Sequence, residues 1–145
     1  MTRVAFDTSV LVPALLGAHE HHAAALRGLQ RTLRSPGDLV VPVPVVFETY
    51  AVLTRLPAPW RLAGATAERV LRQTLAGRAT LASLTDDDVV WSTVRGLAHA
   101  GLVGSVAHDA HIVACARAAD AGAIATFNRR DFERLDLGDL RLITP

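Results

Sequence analysis

Short apolar runs alternate with longer amphipathic stretches along the chain. Residues 3–7 carry Val4-Ala5-Phe6 and stop at Asp7-Thr8-Ser9, which reads as a buried strand leaving by a turn. Residues 39–41 form a β-branched-rich strand stopped by Pro42, and 79–84 form a weaker one after Gly77. Residues 123–126 and 140–143 complete the strands. Between them, helical spacing predicts a short helix over 10–16 and an amphipathic one over 20–33, with Ala24, Leu26, Leu29 and Leu33 on one face. Pro44 opens a helix over 45–56, where proline suits the first turn. Another runs over 66–75. Thr85 caps a helix over 89–100, with Asp86, Asp87 and Asp88 at its positive end and Gly101 after it. A helix over 107–121 ends at Gly122, and a short one covers 128–135.

Strand and helix in alternation predict an α/β fold with a mainly parallel sheet and helices on both faces. Right-handed crossovers place all strand C-termini on one edge, where such sheets bind ligands. With 145 residues, no repeat and no linker, residues 1–145 read as a single domain.

Composition narrows the class. Half the residues are hydrophobic and a fifth are charged, as in globular chains. No apolar run reaches the roughly 18 residues of a membrane span. The opening residues, with one Arg and an acid within seven positions, do not read as a signal peptide. A lone cysteine, Cys115, forms no internal disulfide, so a cytoplasmic location is expected. The net charge of +1 gives no electrostatic direction, but all 15 basic residues are Arg. Without Lys there is no Schiff base and no Walker A lysine. Arginine, in contrast, forks well onto phosphates.

The candidate chemistry collects at the strand ends. Asp7 follows the first strand, and Thr126, Asn128 and Asp131 follow the fourth. Glu48 lies in the apolar stretch Val45-Val46-Phe47-Glu48-Thr49-Tyr50, and Asp109 precedes a nearly all-apolar helix. A charge in such surroundings is costly unless paired or bound to metal. Clustered carboxylates raise each other's pKa, and a hard divalent cation relieves this. All-oxygen ligation suits Mg²⁺ or Mn²⁺ and points to phosphodiester chemistry.

These residues resemble a known family. Phe6-Asp7-Thr8-Ser9, Phe47-Glu48-Thr49-Tyr50, His108 to Ala116 and Gly122 to Phe132, in this order and spacing, resemble the PIN-domain nucleases, in particular the VapC toxins of bacterial toxin–antitoxin pairs. The resemblance spans essentially the whole chain. It implies a three-layer α/β/α domain with a five-stranded sheet of order 3-2-1-4-5. It implies that Asp7, Glu48 and Asp109 are catalytic and hold one or two Mg²⁺ or Mn²⁺ ions, with Thr8, Ser9, Thr126 and Asn128 in support. The implied activity is metal-dependent endoribonuclease cleavage of RNA. The implied partner is a VapB-type antitoxin whose C-terminal tail fills the groove, with a homodimer as the usual state and a heterotetramer or larger assembly with the antitoxin. Many members carry Asp where this chain has Asn128, with a second acid or His three residues on, here Asp131. Either Asp131 supplies a fourth carboxylate or that ligand is missing.

Plainer roles stand beside these. Asp7 and Asp109 could each cap a helix, and Asp131 reads equally as a ligand or as a surface acid. Arg129 and Arg130 read equally as phosphate contacts or solvated residues. His108 and His111 could share a helical face, His19, His21 and His22 read as exposed helix residues, and Trp60 reads as a loop aromatic folded onto the core. Two other functions fit an Asp after the first strand. One is a phosphotransfer domain, either a receiver or a phosphatase with Asp7 as nucleophile, although both usually need a Lys. The other is a catalytically weak PIN-fold RNA-binding module.

Overall fold

The computed structural model describes residues 2–145. Five strands, β1 (Val4–Phe6), β2 (Leu39–Pro42), β3 (Thr80–Ala82), β4 (Ala123–Ala125) and β5 (Arg141–Ile143), form one sheet of order β3-β2-β1-β4-β5. Every pairing is parallel. All residues of β2 and β4 are buried. Side chains alternate between faces along a strand, so both faces of the sheet are covered. The edge strands β3 and β5 are more exposed.

The covering helices are α1 (Thr8–Leu15), α2 (His22–Thr32), α3 (Val43–Arg55), α4 (Gly64–Leu75), α5 (Asp87–His99), α6 (Val106–Ala118) and α7 (Arg129–Glu133). Phe6, Leu11, Leu39, Val40, Val41, Ile124 and Phe132 are fully buried at the centre of the core. Cys115 is buried there too, and burial pushes its thiol pKa up, which leaves it unreactive. No helix is long and apolar enough to cross a membrane among the described residues.

The order of elements agrees with the sequence expectation, and the differences lie at the ends. The cap of α5 is Asp86, not Thr85: its Oδ1 accepts the Asp88 N–H at 2.9 Å. α6 stops at Ala118, short of Gly122, and the left-handed residue after it is Asp120 (φ 56°). Gly122 has a different task. Its N–H donates to the Arg3 carbonyl at 2.9 Å, and a Cβ there would collide with the Thr2 side chain. The glycine lets β4 approach the start of β1. Glu20 and His21 lie in a turn before α2 rather than on the helix. Trp60 is 48% exposed and does not fold onto the core.

Candidate active site

The register of the central strands builds the site. Phe6 pairs with Ala125, so β1 and β4 end side by side and deliver Asp7 and Thr126 together. The Asp7 N–H donates to the Ala125 carbonyl at 3.1 Å. Asp7 sits at the N-cap of α1, but its carboxylate makes no cap hydrogen bond. Instead its Oδ2 accepts the Ser9 hydroxyl at 2.8 Å and the Thr126 hydroxyl at 3.0 Å. Each hydroxyl in turn accepts a loop amide: Phe127 N–H to Ser9 Oγ at 3.0 Å, and Asn128 N–H to Thr126 Oγ1 at 2.9 Å. Each hydroxyl proton is then committed to Asp7, and the loop after β4 is tied to the carboxylate.

Asp7 is buried, and no ion pair involves it among the described residues. Burial raises its pKa. The Ser9 and Thr126 hydroxyls, and more weakly the amides of Thr8 and Ser9, pull it back without cancelling the rise. Glu48, on α3, is exposed and accepts the Thr8 hydroxyl at 3.0 Å. Asp109, in the first turn of α6, is half-buried and pushed up to about 6. Burial is the largest cause, followed by the charges of Asp7, Asp131 and Glu48, while Arg134 acts in the opposite direction. Four acids therefore share one electrostatic field.

They line one open cleft of about 910 Å³, together with Asn128. Asn128 is exposed at the N-cap of α7, and Asp131 is exposed 3.9 Å from Arg134. Thr126 lies behind Asp7, fully buried. Arg129 and Arg130 do not border the cleft. Arg129 is held by Glu133 at 3.0 Å and by the Leu142 carbonyl at 3.1 Å, because α7 turns it toward β5. Among the described residues, no three His, Cys, Asp or Glu side chains are gathered into a ready-made cation cage.

The cleft also contains Arg55, His19 and His21, which sequence spacing did not assign to it, and His108 and His111 on α6, beside Asp109. His21 stacks on Phe127, with ring centroids 4.3 Å apart. The cluster His19-Glu20-His21 carries a weak signal: polar rings crowd a turn rather than follow a helical face.

Comparison with known proteins agrees with this fold. The family model for the PIN domain matches residues 4–137. Ribonuclease VapC27 of Mycobacterium tuberculosis is 35% identical over 128 residues, covering 88% of this chain and 85% of the relative. The chain belongs to the VapC ribonucleases of the PIN-domain family. A second VapC relative, ribonuclease VapC40 of the same species, is 33% identical over 97% of this chain and 99% of its own length. The PIN fold also matches solved structures. VapBC2 from Rickettsia felis, bound to a promoter DNA fragment, aligns with a TM-score of 0.70 at 15% identity over 98% of both chains. Mycobacterium tuberculosis VapC20, described as a toxin cleaving the sarcin–ricin loop, aligns at 0.66 and 19% identity over 88% of this chain and 92% of its own.

Proposed function

We propose that this PIN domain is a Mg²⁺- or Mn²⁺-dependent endoribonuclease and the toxin of a VapBC-type pair. One observation carries the chemistry: Asp7, Glu48, Asp109 and Asp131 face one cleft, and the other three acids help hold Asp109's pKa near 6. Such a cluster is costly without a cation. The donors are all oxygens, which suits a hard divalent ion. We assign Asp7, Glu48 and Asp109 as its holders, with Asp131 completing the set in place of Asn128. Glu48 and Asp109 both reach solvent at the cleft. When bound, the ion lowers the pKa of a water and offsets phosphate charge.

The chain's own residues do the rest. Ser9 and Thr126 fix the rotamer of Asp7 and favour its charged form. Thr8 orients Glu48. The Asp109 carboxylate, at the mouth of the cleft beside Asp7, Glu48 and Asp131, would accept the proton of the attacking water. RNA as substrate, a VapB-type antitoxin filling the cleft, a homodimer and a cytoplasmic site of action all follow from the same reading. It is supported by the VapC relatives and by the VapBC complexes that share the fold.

The test is RNA cleavage by purified protein. Cleavage should require Mg²⁺ or Mn²⁺, stop in EDTA, and fall at least about a hundredfold in Asp7→Asn or Asp109→Asn with folding intact. Full activity in either variant would overturn the mechanism. Asp131→Ala should cost more activity than Asn128→Ala.

A further inference from the structure

One wall of the cleft is aromatic, and the acids do not account for it. His21 lies nearly flat on Phe127, with centroids 4.3 Å apart and planes 14° from parallel. The His19 ring follows at 5.6 Å, tilted by 35°. All three rings line the same cleft as Asp7. Phe127 covers one side of His21, yet 47% of the histidine side chain stays open to solvent.

This wall is fixed in register with the carboxylates. The turn before α2 is pinned by His19 N–H to the Leu16 carbonyl at 3.0 Å and by His22 Nδ1 against the Pro13 carbonyl at 2.8 Å. The His21 N–H donates to His19 Nδ1 at 3.0 Å. On the other side, the Phe127 N–H donates to Ser9 Oγ, which donates to Asp7. A flat group resting on His21 is therefore placed relative to Asp7 by two short hydrogen bonds and one ring stack. An exposed aromatic backed by a second ring is the kind of platform on which single-stranded nucleic acid stacks its bases.

We propose that His21, backed by Phe127, is a stacking platform for an unpaired base beside the scissile phosphate, so that the protein selects RNA whose nucleotide at that place is free of a duplex. His21 touches the base, and Phe127 is a positioning residue. The proposal rests on the ribonuclease reading for what the stacked base is for.

The experiment uses full-length protein in the Asp7→Asn background, so that bound RNA is not cut. The probe is a mixed-sequence single-stranded RNA of about ten nucleotides, within the span such grooves take. It carries 2-aminopurine at successive positions, whose fluorescence is quenched by stacking. At one position binding should quench the probe. His21→Ala should remove that quenching and weaken binding about ten- to a hundredfold, the range of one lost base stack. His21→Phe should restore both. Removing that base from the RNA should weaken binding to the parent protein and add nothing in His21→Ala. The same strand held in a duplex should show no further quenching when protein is added. Unchanged affinity and quenching in His21→Ala would overturn the platform, and so would a base-independent loss that His21→Phe does not rescue. If otherwise wild-type protein fails to cut RNA that is bound and quenched, the ribonuclease reading fails and the platform stands. If His21→Ala, with Asp7 restored, cuts at the wild-type kcat/KM, the platform fails and the ribonuclease reading stands.

Discussion

Asp7 and Asp109 are both held above the ordinary carboxylate pKa of 3.8, so each is more easily protonated folded than unfolded. Between 3.8 and about 6 the folded protein keeps a proton on Asp109 that the unfolded chain has lost. Stability without metal therefore falls as pH rises through that window, and it is recovered on acidification. Asp109→Asn should raise the melting temperature in EDTA by a few degrees near pH 7. The gain should disappear below about pH 4, where both forms are neutral. A variant that stabilises and inactivates at once marks a group kept for chemistry. Two fully buried threonines make a second contrast. Thr126 gives its proton to Asp7 and accepts the Asn128 amide. Thr126→Val should cost about 1–3 kcal/mol in urea unfolding and reduce cleavage. The Thr49 hydroxyl on α3 has no hydrogen-bond partner among the described residues. Thr49→Val should be neutral or stabilising by about 1 kcal/mol, since an unpaired buried hydroxyl costs more than a methyl.

At the scale of elements, apolar spacing together with start and stop residues found each strand and helix, because apolar spacing records which face is buried. Helix ends were less legible, because a cap is decided by which side chain reaches the free amides. At α5, Thr85 and Asp86 both suit the position, and only Asp86 bonds to Asp88. Asp86→Ala should therefore cost about 1 kcal/mol, and Thr85→Ala should stay within about 0.5 kcal/mol, as measured by denaturant midpoints. Gly122 misled for a related reason. Glycine after a helix suggests a left-handed stop, but here the glycine answers to Thr2, just before β1. The turn of His19 and His21 was illegible as part of the cleft because its meeting with Phe127 joins distant parts of the chain.

For the molecule as a whole, parallel pairing brings acids from four separate elements to one sheet edge. Asp7 stood out in the sequence by its place at the end of the first strand, and Glu48 and Asp109 because apolar neighbours made their charges conspicuous. The exposed Asp131 read equally as a ligand or a surface acid, and its link to the cluster shows in the shared cleft and in its effect on Asp109. If these acids hold an ion, folding and metal binding are coupled. Adding Mn²⁺ to EDTA-stripped protein should raise its melting temperature with the logarithm of concentration, gaining about 2.7 kcal/mol at a hundred times Kd. Asp7→Asn should lose that gain.

The central position of β1 has a consequence for how the protein is made. Asp7 and the Thr126 that steadies it are 119 residues apart. When β3 has left the ribosome, β1 can pair with β2 on one side only, and its other side waits for Ala123–Ala125. At that stage the nascent chain has Asp7 and Glu48 but lacks Asp109, Asp131 and the loop that orients the first acid. Strand order thus leaves the four-acid cleft incomplete until residues 109–131 have been added.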